Sequence, residues 1–134
     1  DFIISDYIFE KDRIFARLNL EDEEMALYDN IYNIMTGISA KPDLIIYLQN
    51  SVDRLMENIN QRGRSYEKHI TRDYLQNLSD AYNHFFYHYN KVPLMIINAT
   101  EIDFVENTSH LAYIEEQIFE HPIRTNTHIH IIPE

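Results

Sequence analysis

The chain has 134 residues, 45% of them hydrophobic and 25% charged, the balance of one soluble globular domain with a single core. Cysteine is absent, which excludes disulfides and thiolate metal sites, and a formal net charge of −11 repels a phosphate backbone, which argues against a nucleic-acid partner. The longest apolar runs, such as Leu44-Ile45-Ile46-Tyr47-Leu48, are strand-sized, so no membrane span is expected, and the composition fits a reducing cytoplasm.

Phe2-Ile3-Ile4 is a continuous apolar run stopped by Ser5-Asp6 and is expected to be the end of a buried strand. The chain opens on Asp1 rather than Met, so its natural start is expected to lie upstream. A helix carrying Ile8, Phe9, Ile14, Phe15 and Leu18 follows. Asp22, Glu23 and Glu24 suit the positive end of a second helix, whose apolar positions are Met25, Tyr28, Ile31, Tyr32 and Met35, with Gly37 as its C-cap. Leu44 to Gln49 reads as a strand buried on both faces. Asn50 or Ser51 caps the next helix, with an apolar stripe of Val52, Leu55, Met56 and Ile59, and Gly63 breaks it. A long helix covers about Lys68 to Tyr89, Leu94 to Asn98 is a second buried strand, and a last helix covers about Thr108 to Phe119. From His121 onward the tail alternates between Thr127 and Ile132, as either an extra strand or a disordered end.

Apolar strands alternating with helices predict an α/β fold, a three-layer parallel sheet flanked by helices. Such sheets bind ligands beyond the carboxyl ends of their strands, which directs attention to the segments after Ile4, Leu48 and Asn98. Asp6 lies at the first of these, where a carboxylate can hold Mg²⁺ or its waters, because hard cations prefer oxygen ligands. Arg54, Arg62, Arg64, Lys68 and Arg72 gather five of the eleven basic residues in one stretch. Two arginines flanking Gly63 can close over a transferring phosphoryl group, and a solvated helix end with ordinary ion pairs explains them as well. His84 and His88 have a metal-compatible spacing but no evident third ligand, and His128 and His130 alternate on the tail.

Taken together, Ser5-Asp6-Tyr7, Ile14-Phe15-Ala16, Pro42-Asp43-Leu44-Ile45-Ile46-Tyr47-Leu48, Arg62-Gly63-Arg64-Ser65-Tyr66-Glu67, Tyr74-Leu75 and Ile102-Asp103-Phe104 are specific in their order and spacing. The pattern, from about Phe2 to Val105, resembles the deoxynucleoside kinase family, particularly its bacterial deoxyadenosine/deoxyguanosine kinase branch. The resemblance implies a P-loop kinase type of fold, with ATP as phosphate donor, Mg²⁺, a deoxynucleoside acceptor and a homodimer. It implies that Asp6 serves the Mg²⁺–phosphate end and that Phe15 packs on the substrate base, with Asp12 near the base-recognising acid. Arg62 and Arg64 would reach the phosphates of ATP from a lid at about 58–72, Glu67 would approach the deoxyribose hydroxyl, and Asp103 and Phe104 would lie along the adenine of ATP. Tyr7 stands where many members carry an arginine, and Asn58 where many carry another lid arginine.

The same family needs Gly-x-x-x-x-Gly-Lys-Ser/Thr, whose backbone N–H groups cradle the phosphates. Gly37 and Gly63 are the only glycines, and neither can belong to that motif. The expectation is therefore the C-terminal part of a deoxynucleoside kinase domain over 1–120, with the tail at 121–134, incomplete at its N-terminus and inactive by itself. The strand bearing the loop would lie between the Ile4 strand and the Leu44–Leu48 strand, so its absence should leave unpaired edges and a marginal or oligomer-dependent fold. Two alternatives stand beside it: a non-catalytic nucleotide-binding or assembly module on the same scaffold, and a thymidylate-type nucleotide kinase.

Overall fold

The computed structural model describes residues 3–38, 40–103 and 107–120, together with the backbone of 128–131. The elements in chain order are α1 (Phe9–Asn19), α2 (Asp22–Thr36), β1 (Ile45–Gln49), α3 (Val52–Arg62), a short 3-10 turn at Ser65–Glu67, α4 (Arg72–Tyr87), β2 (Leu94–Asn98), α5 (Thr108–Glu120) and β3 (His128–Ile131). The strands form one parallel sheet in the order β1-β2-β3, with Ile45 opposite Leu94 and Leu94 opposite His128. This is the α/β architecture expected from the alternation of strands and helices.

Local chemistry accounts for the helix ends. Glu21 and Glu24 form a capping box at the start of α2, each side chain accepting from the other's backbone N–H. Ser51 accepts from the Arg54 N–H at the start of α3, and Thr71 from the Tyr74 N–H at the start of α4; such caps are worth about 1 kcal/mol each. Thr71 also explains why α4 begins at Arg72 rather than near Lys68. Gly37 stands at the C-cap of α2 in a right-handed conformation, so its freedom is not used there. Gly63 does use it: its φ is 61° and its N–H reaches the Ile59 carbonyl.

The core has two halves on opposite faces of β2. Leu94 and Ile96 meet Ile45, Phe86 and Tyr89, and Met95 and Ile97 meet Ala99, Ile102 and Ile114. Leu94, Met95 and Ile97 are fully buried, each contributing about 1.5–3 kcal/mol of burial. The expectation that β2 is covered on both faces therefore holds. It fails for β1. Ile46 and Leu48, on one face of the edge strand β1, remain 39% and 46% exposed.

The expected N-terminal strand is also corrected. Ile3 and Ile4 lie outside any strand and are 89% and 85% exposed. An apolar triplet becomes a strand only beside a pairing edge, and the sheet brings no neighbour to it.

Candidate functional site

The carboxyl ends of β1 and β2 are stitched together. The Ala99 N–H donates to the Gln49 carbonyl over 2.7 Å, the Ser51 N–H to the Thr100 hydroxyl over 3.1 Å, and the Thr100 N–H to the Asn98 side chain over 3.1 Å. Two further groups of side chains contain residues singled out by the sequence, one on α1 and α2, the other where α3 runs into the 3-10 turn.

On α1, Asp12 is exposed and its Oδ2 accepts a 2.7 Å hydrogen bond from the Tyr28 hydroxyl of α2. Burial, then that bond and the Asp12 charge, push the Tyr28 phenol well above its ordinary range. One turn on, the Phe15 ring meets Tyr82 of α4 edge-on, with centroids 6.1 Å apart. Tyr7, in the turn before α1, lies close enough to Asp12 and Tyr82 to couple electrostatically with both. Burial first, then the Asp12 charge, raises its phenol. Asp12, Phe15, Tyr7, Tyr28 and Tyr82 thus share one neighbourhood. Sequence reasoning gave Tyr28 to an apolar stripe and missed the place of both Tyr28 and Tyr82 here. A hydroxyl on an otherwise apolar helical stripe was the available signal, because a buried Tyr seeks a partner for its O–H.

Asp6 is exposed in the same N-terminal turn, which is closed by the Ser5 hydroxyl donating to the Tyr7 carbonyl over 3.0 Å. Among the described residues no three His, Cys, Asp or Glu side chains converge as a metal site. A lone carboxylate fits a Mg²⁺ ion bound mostly by water and phosphate oxygens, not a dedicated protein cage.

At the second locus, α3 ends on Arg62, and the left-handed Gly63 turns the chain so that Arg64 and Glu67 fold back beside it. Glu67 Oε1 pairs with Arg62 over 3.6 Å and with Arg64 over 3.8 Å. Arg64 also donates to the Tyr66 hydroxyl over 3.0 Å. The Glu67 side chain is only 11% exposed, whereas both arginines are half exposed. Its second oxygen is buried with no hydrogen-bond partner. Arg54 pairs with Glu57, and Arg72 with Asp53, which holds the Asp53 carboxyl below its usual range by a hydrogen bond and by charge. The cationic stretch is therefore partly neutralised at rest by acids within it, while Arg62 and Arg64 share a single carboxylate oxygen between them.

On the third loop, the Asp103 N–H donates to His110 Nδ1 over 3.0 Å, tying the segment after β2 to α5. Phe104 lies outside the described residues. His84 on α4 and His88 at its C-cap stand with rings 4.6 Å apart, and His88 Nδ1 engages the His84 carbonyl.

Comparison with known proteins gives a consistent picture. The family model for deoxynucleoside kinase matches residues 2–124. The chain is 38% identical over 80 residues to a deoxyguanosine kinase of Bacillus subtilis, covering 60% of this chain and 39% of that protein. It is 30% identical over 131 residues to a deoxyadenosine kinase of Lactobacillus acidophilus, covering 87% of this chain and 61% of that protein. A solved deoxyadenosine kinase from M. mycoides with bound dCTP superposes with a TM-score of 0.71 at 25% identity, covering 83% of this chain and 60% of that one. The chain thus spans from 39% to 61% of the length of these curated relatives. No helix among the described residues is long and apolar enough to cross a membrane.

Proposed function

This chain belongs to the deoxynucleoside kinase family, and we propose that it is the acceptor, lid and adenine-loop portion of a kinase acting on a purine deoxynucleoside. The reaction is transfer of the γ-phosphoryl of ATP to the 5′-hydroxyl. The 5′ oxygen bonds to phosphorus, the bond between the γ phosphorus and its bridging oxygen breaks, and ADP leaves. The observation that carries this reading is the Arg62-Gly63-Arg64…Glu67 arrangement, two half-exposed arginines held on one buried carboxylate at a helix end.

Each residue has a role in this reading. Phe15 offers a ring to the base and Asp12 an acceptor to its N–H groups. Glu67 approaches the deoxyribose hydroxyl. Arg62 and Arg64 exchange Glu67 for the donor phosphates and stabilise charge on the transferring group, the main source of catalysis in phosphoryl transfer. Asp103 and Phe104 lie along the adenine of ATP. Asp6 holds Mg²⁺ through water, and the ion when bound neutralises the phosphate oxygens. The purine preference is supported by the names of two relatives, a deoxyguanosine and a deoxyadenosine kinase.

No Gly-x-x-x-x-Gly-Lys-Ser/Thr occurs in these 134 residues, so they do not by themselves grip the β and γ phosphates. Their turnover alone is expected to be nil, and the P-loop and the base that takes the 5′-hydroxyl proton come from outside them. A homodimer and a cytoplasmic location belong to the same reading. The test is direct. The purified 134-residue chain and a complete kinase containing it are assayed for deoxyadenosine and deoxyguanosine phosphorylation with ATP and Mg²⁺. Activity of the complete kinase only is the expected result. Activity of the short chain, or phosphorylation of nucleoside monophosphates instead, contradicts the proposal. The missing loop also favours a second reading, a binding or assembly module without chemistry; nucleotide binding with a complete kinase that stays inert selects it.

A further inference from the structure

We infer that Tyr28 is a positioning residue for base recognition: its hydroxyl holds one oxygen of Asp12, so that the other faces the base as an acceptor only. This rests on the reading of Asp12 as the base-recognising acid and adds to it a residue from a different helix.

Three contacts fix the geometry. The Tyr28 hydroxyl reaches Asp12 Oδ2 over 2.7 Å. One residue further along both helices, Arg13 pairs with Asp29 over 2.9 Å, at the same sequence separation of 16. Arg13 also lies over the Tyr32 ring at 5.2 Å, and Tyr32 stacks on Phe9 with centroids 4.9 Å apart. An ion pair, a cation–π contact and a ring stack therefore lock α1 against α2 in one register. That register delivers the Tyr28 hydroxyl to Asp12. The Tyr28 ring is itself held 5.9 Å from Tyr32, so it has little freedom to swing away.

The chemical consequence follows from donor and acceptor counting. A phenol at hydrogen-bond distance from a carboxylate donates to it, because an ionised carboxylate only accepts. With Oδ2 satisfied, Asp12 makes no other hydrogen bond among the described residues, and Oδ1 is available. Such an oxygen accepts from an exocyclic amino group or a ring N–H, and it penalises a base offering neither. A site built to meet a donor rejects an analogue lacking it, because its own polar group is left unpaired. Without Tyr28 the carboxylate rotates freely, and the discrimination weakens although the charge remains.

The experiment uses the complete kinase containing this sequence, with two acceptors: deoxyadenosine and purine deoxyriboside, which lacks the amino group. Tyr28→Phe is close in shape and keeps the ring contact with Tyr32, and its thermal unfolding is measured beside the wild type. The expected result is about a tenfold fall in the preference for deoxyadenosine, carried by the KM for deoxyadenosine, with the KM for ATP moving less than about twofold. In an Asp12→Ala background the same substitution should leave the preference unchanged, since the two residues act as one unit. An unchanged preference in Tyr28→Phe, or an equal fall in both backgrounds, overturns the inference. A wild-type kinase inert toward every deoxynucleoside overturns the functional reading itself, and the wild-type assay tells that failure apart.

Discussion

The Tyr47 hydroxyl of β1 donates to the Asn83 side-chain oxygen of α4 over 2.9 Å, and Gln49, two residues along the same strand face, donates to that oxygen over 2.8 Å. One amide thus satisfies two partly buried donors in the seam between sheet and helix, beside the Tyr47–Phe86 stack at 4.5 Å. Removing one donor loses a bond of about 1 kcal/mol, whereas removing the shared acceptor strands both donors at about 1–3 kcal/mol each. Asn83→Ala is expected to destabilise the fold by more than Tyr47→Phe, compared by urea unfolding. Equal losses would show that the oxygen is not shared.

The seam also sets a pH limit. Burial pushes the phenols of Tyr47 and Tyr89 up to about 12 from an ordinary value of 10.0. A phenol whose folded value is raised holds its proton more tightly when folded. Its contribution is complete below pH 10 and is lost as pH rises from about 10 to about 12. The urea midpoint should therefore be flat toward pH 9 and fall steeply above 10. Phenolate absorbance from these two residues should appear together with unfolding. Tyr47→Phe should shift the fall toward higher pH.

Gly63 is needed for its backbone and not for space. A Cβ there would meet nothing closer than the Asn60 carbonyl at 3.9 Å, but the φ of 61° penalises any L side chain. Gly63→Ala is expected to cost about 1 kcal/mol, read by thermal unfolding. In a complete kinase it should also lower kcat, because Arg64 and Glu67 follow that turn.

Glu67 is expected to matter more to catalysis than to stability. Its two ion pairs involve half-exposed arginines at 3.6 and 3.8 Å, a class worth under about 1 kcal/mol. Its buried second oxygen has no partner and itself costs free energy. Glu67→Gln should leave the unfolding midpoint nearly unchanged and cut kcat/KM for the deoxynucleoside by tenfold or so. A large stability loss with intact kinetics would assign Glu67 to the scaffold.

The dimer proposal has its own test. Leu27, Ile31, Ile34 and Ile38 form an exposed apolar stripe on and just beyond α2, larger than a lone surface residue explains. Ile31→Glu is expected to move a dimer toward monomer in sedimentation velocity without shifting the unfolding midpoint of the monomer. An unchanged sedimentation coefficient would remove α2 from the interface.

Much of this was legible in the sequence because it depends on local chemistry. Ser51 as a cap, Gly63 as a break and Leu94–Asn98 as a strand follow from neighbouring residues and from periods of two and 3.6. The grouping of Arg62, Gly63, Arg64 and Glu67 was equally visible, since the four are close in sequence. Whether Asp12 and Tyr28 meet is another matter. Tyr28 looked like one more apolar position of α2, and only the packing of α1 on α2 turns its hydroxyl to a carboxylate 16 positions away.

By itself, then, the amino-acid sequence determined the α/β alternation, the caps, the clustering of Arg62, Arg64 and Glu67 and the lack of a Gly-x-x-x-x-Gly-Lys-Ser/Thr motif within these 134 residues. These are properties of short segments, and each is decided within a few residues. The tertiary structure alone decided which apolar runs become covered strands. Leu94–Asn98 is buried on both faces, Leu44–Gln49 on one, and Ile3–Ile4 on neither. The three runs are similar in composition. What separates them is the partner each finds across the sheet, because a strand is stabilised by the edge it pairs with and the helix that lies over it.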